Sequence, residues 1–354
     1  MRLSELKTGQ SATILNVLGH GGFRRRIMEM GFVRGKRVDV LQNAPLRDPI
    51  KYRIMDYEVS LRRSEAAMIV VITAEEVQQQ LSVAGETLSA PDDADFEEAI
   101  STRSRTINVA LIGNPNSGKT SLFNAISGGH EHVGNYSGVT VDAKRGEYRY
   151  GGYRFVITDL PGTYALSAYT PEELYVRRHL VNDTPDVVVN AVVASNLERN
   201  LYLTTELIDI DPKMVVALNM YDELEASGAV LDYEHLGAML GVPMVPVVAK
   251  TGRGLETLLD TVIAVYENRD PRVRHIHINN GPVVEQALRP LYERLRSDRD
   301  ELPKHFPPRY FAMKLLERDK EVEAQLADCP HFAEWIALRD RAVPQVEEEL
   351  GEDV

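Results

Sequence analysis

The chain has one cysteine, Cys329, and one tryptophan, Trp335, among 354 residues. A single thiol excludes a disulfide scaffold within the chain and fits a reducing compartment. No apolar run approaches the roughly 18–20 residues of a membrane-spanning helix, and no signal peptide opens the chain, so a soluble protein is expected, one that cannot itself pass an ion through a bilayer. Charge of one sign is in short supply: the formal net charge is −13. The deficit is uneven, because residues 1–70 carry 13 Lys/Arg against 7 Asp/Glu, which leaves the remainder near −19. Nucleic acid, anionic lipid or an acidic surface of the same chain are the partners such a basic module suits. Aromatic side chains are not interleaved with its basic ones, which argues against nucleic acid. Arg24-Arg25-Arg26 reads most simply as the exposed face of a helix that buries Ile27, Met30 and Phe32.

The strongest positive feature is Gly113-Asn114-Pro115-Asn116-Ser117-Gly118-Lys119-Thr120, between the apolar run INVALI and the helical stretch SLFNAIS. A strand over 107–112 delivers the chain to a sheet edge, and the glycines let backbone N–H groups curl inward. The following helix points its positive end at an anion. Lys119 then reaches β and γ phosphate oxygens, and the Thr120 hydroxyl ligates Mg²⁺.

Further segments select the base and the switch. Asn219-Met220-Tyr221-Asp222 ends the run MVVAL at a strand tip, where ligands bind in open α/β sheets. A carboxylate at Asp222 accepts from N1–H and the 2-amino group of guanine, and adenine lacks the latter. Asp159-Leu160-Pro161-Gly162 follows the strand YRFVIT, with Asp159 toward Mg²⁺ and the Gly162 N–H toward a γ-phosphate. Thr140, in GNYSGVTVD, is placed as a second, mobile Mg²⁺ hydroxyl. Val248-Ala249-Lys250 offers a backbone N–H to guanine O6. The expected binding set is therefore Gly113, Asn114, Pro115, Asn116, Ser117, Gly118, Lys119, Thr120 and Ser121, with Gly138, Val139 and Thr140. It continues through Asp159, Leu160, Pro161 and Gly162 to Asn219, Met220, Asp222, Val248, Ala249 and Lys250. The groups expected to act in catalysis are Asn116, Lys119, Thr140 and Gly162.

The segments GNPNSGKTSLFNAISG, VGNYSGVTVDAKRGEY, DLPGTYALSAYTPEE and NMYDE resemble the cytosolic G domain of the bacterial ferrous-iron transport protein family FeoB. LSELKTGQSATI, RRRIMEMGFVRGKRVDVLQNAPLRDPI and YEVSLRRSEAAMIVV resemble FeoA, its small SH3-like partner. VRHIHINNGPVVEQALRPLYERL and the residues after it resemble the helical spacer that acts on guanine-nucleotide release. The resemblance implies a FeoA–FeoB fusion without its membrane part, placed at the cytoplasmic face of a bacterial inner membrane. It also implies GTP or GDP with Mg²⁺ as ligands, a membrane transport domain as partner, and docking of the FeoA-like module on its own chain as an open option. In similar G proteins the residue matching Asn116 coordinates K⁺ in place of an arginine finger.

The expected organisation is a small all-β SH3-like barrel over 1–76, an acidic flexible linker over 77–105 (ETLSAPDDADFEE at its centre), a G domain over 106–268 and an all-α helical domain over 269–354. The G domain is expected to be a P-loop GTPase fold, a mostly parallel α/β sheet with helices on both faces. Its strands are expected at 107–112, 144–150, 153–158, 186–194, 213–219 and 243–248, with YGGY as a hairpin turn making one edge antiparallel. Val38 and Val40 should point inward, and Arg37 and Asp39 outward.

Hydrolysis is expected to be slow. Efficient GTPases place a Gln after the DxxG motif to orient water; here that position is Thr163, too short for the task. Glu172 and Glu173 are expected to cap the following helix. His275 and His277 are expected on one side of a strand, as a surface pair rather than a metal site. Cys329 is expected to be structural and Trp335 core. Two functional readings stay open: a hydrolysing, K⁺-stimulated GTPase, and a non-catalytic sensor acting through nucleotide occupancy.

Overall fold

The computed structural model describes residues 1–18, 26–33, 35–43, 48–55, 57–76, 105–128, 131–133, 143–167, 170–183, 185–299, 301–303 and 306–351. The chain divides into two compact units, Met1–Thr106 and Ile107–Val354. The acidic segment at 86–98, Arg24, Arg25 and the expected switch residues Gly138, Val139 and Thr140 lie outside the described residues.

The first unit is built on one β-sheet, with only short helical turns beside it, such as Arg63–Ala66. Its strands β1 (Ser11–Val17), β2 (Arg37–Asn43), β3 (Ile50–Ile54), β4 (Tyr57–Leu61) and β5 (Ile69–Ile72) form one sheet in the order β4-β3-β2-β1-β5. The pairings are antiparallel. Alternation decides the faces: Val38 and Val40 are buried and Arg37 is exposed, and on β3 Ile50, Tyr52 and Ile54 face in while Lys51 and Arg53 face out. Ile27 and Phe32 are fully buried, and Phe32 meets Tyr52 edge-on at 6.3 Å. Arg26 opens the short helical segment and pairs with Glu65, in keeping with an outward arginine.

In the second unit, β6 (Thr106–Gly113), β7 (Glu131–Val133), β8 (Lys144–Tyr150), β9 (Tyr153–Asp159), β10 (Val187–Val193), β11 (Met214–Asn219) and β12 (Met244–Pro246) form a mixed sheet in the order β12-β11-β10-β6-β9-β8-β7. The β12–β11, β11–β10 and β10–β6 pairs are parallel, whereas β9–β8 and β8–β7 are antiparallel. Strands β10 and β11 are apolar almost throughout because helices cover both faces of this region. The predicted β8–β9 hairpin turns on Gly151 and Gly152, both at positive φ. Sequence reasoning missed β7, which lies at the antiparallel edge, and made the strand at 243–248 too long, since β12 stops at Pro246 and the chain then turns into the 248–254 loop.

The described helices of this second unit are α1 (Lys119–Ser127), α2 (Pro171–Asn182), α3 (Leu197–Ile210), α4 (Tyr221–Ala226), α5 (Tyr233–Leu240), α6 (Leu255–Tyr266), α7 (Pro282–Ser297), α8 (Pro308–Leu316), α9 (Lys320–Leu326) and α10 (Phe332–Leu350). Proline opens α2, α7 and α8 in the first turn, where a missing N–H costs nothing. Thr170 caps α2, and Glu173 completes the box while Glu172 lies in the same first turn. Helices α7–α10 pack on the rest of the unit through one apolar cluster running from Leu160, Leu166 and Val176 to Leu291, Phe311, Leu315 and Trp335. Trp335 is fully buried, and its indole N–H donates to Asp298 Oδ2 at 2.8 Å. The Cys329 thiol, partly buried, donates to the Glu301 carbonyl at 3.4 Å.

The expected strand at His275 and His277 is not there. Residues 273–280 are irregular, and their backbone bonds elsewhere, as Arg274 N–H does with the Gly241 carbonyl. Both histidines are exposed, and His275 Nδ1 lies 2.7 Å from Asp211 Oδ1.

Asp209 on α3 carries a stability prediction. One of its carboxylate oxygens is buried without a partner, and burial pushes its pKa from 3.8 up to about 6. The folded state therefore holds the proton more tightly than the unfolded one, so this group's contribution worsens as pH rises from about 3.8 to 6 and is flat above. The shift corresponds to about 3 kcal/mol, or about 1–2 kcal/mol once partial solvation is allowed for. Asp209→Asn is expected to raise stability by that amount at pH 8 and by little at pH 4, checked by thermal melts at the two values.

Candidate functional site

The C-terminal ends of β6, β9 and β11 bring the predicted motifs together. Gly113 closes β6, and a Cβ there would lie 2.5 Å from the Ala191 carbonyl and 2.8 Å from Ser117 Oγ, so only glycine fits between the neighbouring strand and the loop. Asn116 takes a left-handed φ of 66°, which Asn tolerates better than most residues, and its side chain is exposed. Gly118 caps α1 at φ 74°, where a Cβ would lie 2.3 Å from Asn219 Nδ2 and 3.1 Å from the end of the Met220 side chain. Lys119, Thr120 and Ser121 then fill the first turn of α1, with Thr120 and Ser121 exposed.

Charge converges under this loop. The buried Lys119 ammonium pairs with Asp159 Oδ1, and the Thr120 hydroxyl lies 3.4 Å from Asp159 Oδ2. Oxygen donors of this kind are what Mg²⁺ takes. Leu160 is buried, Pro161 is partly covered, and the Gly162 backbone passes so close to Pro115 that a Cβ would sit 3.1 Å from the Pro115 Cα. Thr163 N–H donates to the Gly113 carbonyl at 3.2 Å, tying this segment to the phosphate loop. The Thr163 hydroxyl is turned inward and donates to the Ala165 carbonyl at 2.6 Å. At the position of the missing Gln there is thus a side chain both short and already committed.

The base-reading segments are held by Asn219. Its Nδ2 donates to the Ser117 carbonyl at 3.0 Å and its Oδ1 accepts from Ala249 N–H at 3.1 Å, with the residue 2% exposed. One amide side chain thereby ties the phosphate loop to the 248–250 loop. Asn219 was expected in the binding set, and both ends of its amide bond the protein's own backbone. Met220 turns the chain at φ 54°, and Asp222 stands exposed in the first turn of α4. Val248 N–H donates to the Arg253 carbonyl at 2.9 Å and Ala249 N–H to Asn219, so two of the three backbone N–H groups in this loop are already used within the chain. Lys250 is exposed.

Three contacts were missed. Asn114 is buried, and its Nδ2 donates to the Arg199 carbonyl at 3.2 Å. The Arg199 guanidinium stacks 4.3 Å from the centre of the Tyr164 ring. Leu166 N–H donates to Glu206 Oε2 at 2.6 Å. Of these only Glu206 left a trace in sequence: it stands three residues from Leu203 on α3, among the apolar positions of an amphipathic helix.

Comparison with known proteins gives the same picture. The family model "Ferrous iron transport protein B" matches residues 107–262, the FeoA domain model matches 1–73, and the FeoB cytosolic helical domain model matches 281–354. A Porphyromonas gingivalis Fe(2+) transport protein A/Fe(2+) transporter FeoB fusion protein is 48% identical over 99% of this chain, and the chain spans 44% of that relative's length. Among solved structures, an S. thermophilus NFeoB mutant bound to GDP is 36% identical, with 70% of this chain and 92% of that one aligned at a TM-score of 0.61. Another NFeoB mutant of that organism, bound to GMPPNP, aligns over the same shares at 36% identity and a TM-score of 0.59. The described part holds no helix long and apolar enough to cross a membrane. With a FeoA domain, a P-loop G domain and the cytosolic helical domain in that order, the chain belongs to the FeoB family of ferrous iron transport proteins.

Proposed function

We propose that the chain binds GTP and GDP at this site, hydrolyses GTP slowly, and does so faster in K⁺. The observation that carries the reading is the Asn219 bridge, because it fixes the phosphate loop against the loop that reads the base. In this reading Asp222 accepts from guanine N1–H and the 2-amino group. Since Val248 and Ala249 N–H are spent internally, Lys250 N–H is the donor toward O6. Lys119 exchanges the Asp159 carboxylate for β and γ phosphate oxygens, and Gly162 N–H meets the γ-phosphate. Thr120 and Asp159, with Thr140, would hold Mg²⁺, which supplies positive charge where the β and γ oxygens become more negative. Asn116 would hold K⁺. The GDP and GMPPNP of the similar structures support a guanine occupant.

In the longer protein the chain is then the cytosolic regulatory region of a bacterial ferrous-iron transporter, at the cytoplasmic face of the inner membrane, with the membrane transport domain as partner. The basic first unit is a protein-interaction module rather than a nucleic-acid binder. A second reading, a sensor that works by occupancy without turnover, draws support from Thr163, whose hydroxyl is turned inward onto the Ala165 carbonyl.

Phosphate release from GTP in K⁺ and in Na⁺ at equal ionic strength separates the two. Release about tenfold faster in K⁺, about 1.4 kcal/mol of barrier, is expected. Asn116→Leu is expected to abolish the difference. Asn116→Gly is expected to do the same without the left-handed backbone cost that Leu incurs at φ 66°. Equally slow release in both salts with tight GTP binding favours the sensor.

A further inference from the structure

Apart from the nucleotide site, metal-ligating side chains gather where α7 ends and α10 begins. Asp298 is the C-cap of α7, Glu301 lies in the turn beyond it, and His331 stands immediately before α10. One donor atom from each of the three lies within 4.8 Å of the others, close to the roughly 3–4 Å that separates ligands about 2.1 Å from a common ion. Cys329 brings a thiol to the same place, its sulfur 3.4 Å from the Glu301 carbonyl oxygen.

The contacts within this cluster leave room for a cation. His331 Nδ1 and Glu301 Oε1 are 2.6 Å apart, a distance that requires a proton between them. A metal ion replaces such a proton, because imidazole and carboxylate bind metals in their deprotonated forms. Asp298 accepts from Trp335 Nε1–H at 2.8 Å through Oδ2 and from Arg294 at 3.1 Å through Oδ1, so each oxygen keeps a second lone pair. Arg294 has another partner in Glu334 at 2.9 Å, and it retains that pair when an ion takes its place beside Asp298. The carbonyl end of α7 adds negative potential at Asp298. Burial is graded across the cluster: the Asp298 side chain is 7% exposed, those of Glu301 and His331 23% and 37%. A buried carboxylate thus forms a fixed floor, and the other two ligands face an opening to solvent.

We propose that Asp298, Glu301 and His331, with Cys329 as a fourth donor, bind one divalent transition-metal ion. Mg²⁺ and Ca²⁺ take oxygen ligands, whereas imidazole and thiolate beside carboxylates suit Fe²⁺, Co²⁺ or Zn²⁺. The ion ties the end of α7 to the start of α10. The site is separate from the phosphate loop and does not depend on the nucleotide reading.

The test is a titration of the whole chain with Co²⁺ in excess Mg²⁺, which saturates sites built from oxygen alone. One Co²⁺ per chain is expected, with a thiolate-to-cobalt charge-transfer band in the near ultraviolet, and Zn²⁺ or anaerobic Fe²⁺ is expected to displace it. Glu301→Gln and His331→Ala are expected to weaken Co²⁺ by about tenfold or more, and Cys329→Ser to remove the band. His275→Ala, which removes the separate His275–Asp211 pair, is expected to change neither. Co²⁺ is expected to raise the melting temperature of wild type and not that of Glu301→Gln, and the same melts show that the variant is folded. If His331→Ala does not fold, Glu301→Gln carries the test, since its amide keeps a neutral hydrogen bond to the imidazole. No saturable Co²⁺ binding in Mg²⁺, or wild-type affinity in folded Glu301→Gln, overturns the proposal. Binding that depends on Glu301 and His331 but shows no charge-transfer band overturns the place of Cys329 in it.

Discussion

Asp222→Ala is expected to weaken GDP and GTP binding by about a thousandfold. Two hydrogen bonds to a carboxylate, each contributing about 1.5–3 kcal/mol, account for roughly 4 kcal/mol, and each 1.4 kcal/mol is tenfold in affinity. The fold should not notice, because Asp222 is exposed at the first turn of a short helix and supports nothing in the core. Asp222→Asn sharpens the test. Its amide offers one acceptor and one donor, which no longer matches the two donors on guanine but does match the N1–H and O2 of xanthine. Fluorescent-nucleotide titration should therefore show guanine affinity lost and xanthine affinity gained. Unchanged guanine affinity in either variant removes Asp222 from the site.

Asn219→Ala is the second large effect, and here stability and binding fall together. The substitution strands the Ser117 carbonyl and Ala249 N–H in a position 2% exposed, and each orphaned buried group costs about 1–3 kcal/mol. Unfolding free energy is expected to drop by about 2–4 kcal/mol and GDP affinity by about a hundredfold, since the phosphate loop and the 248–250 loop lose their common anchor. Asn219→Asp keeps the shape but turns a carboxylate oxygen toward the Ser117 carbonyl, so it should rescue neither property. Denaturant unfolding and GDP titration on the same samples check this; affinity within twofold of wild type in the alanine variant contradicts the bridging role.

The nucleotide site was legible in sequence because its chemistry is local. Gly113, Gly118, Lys119 and Thr120 are adjacent, and the strand before them and helix after them follow from an apolar run and a capping glycine. Asp159 and Asp222 could be placed because the first ends an apolar strand and the second sits just beyond one. The first unit was legible through alternation, Ile50, Tyr52 and Ile54 against Lys51 and Arg53. What stayed hidden depends on partners far apart along the chain. Nothing near Asn219 announces that both ends of its amide bond backbone at Ser117 and Ala249, and nothing near Arg177 points to its ion-pair partner Asp319, 142 residues away. The strand expected at His275 and His277 failed for the same reason: alternation without a neighbouring strand to accept its hydrogen bonds makes no sheet, and this segment bonds to Gly241 and Asp211 instead.

The most direct test of the account is calorimetric titration of the intact chain with GDP and with ADP in Mg²⁺ at one salt concentration. Saturable binding of one GDP per chain, with ADP weaker by about 10³-fold or more, is the predicted result. Equal affinity for the two bases, or no saturable binding of either, contradicts it.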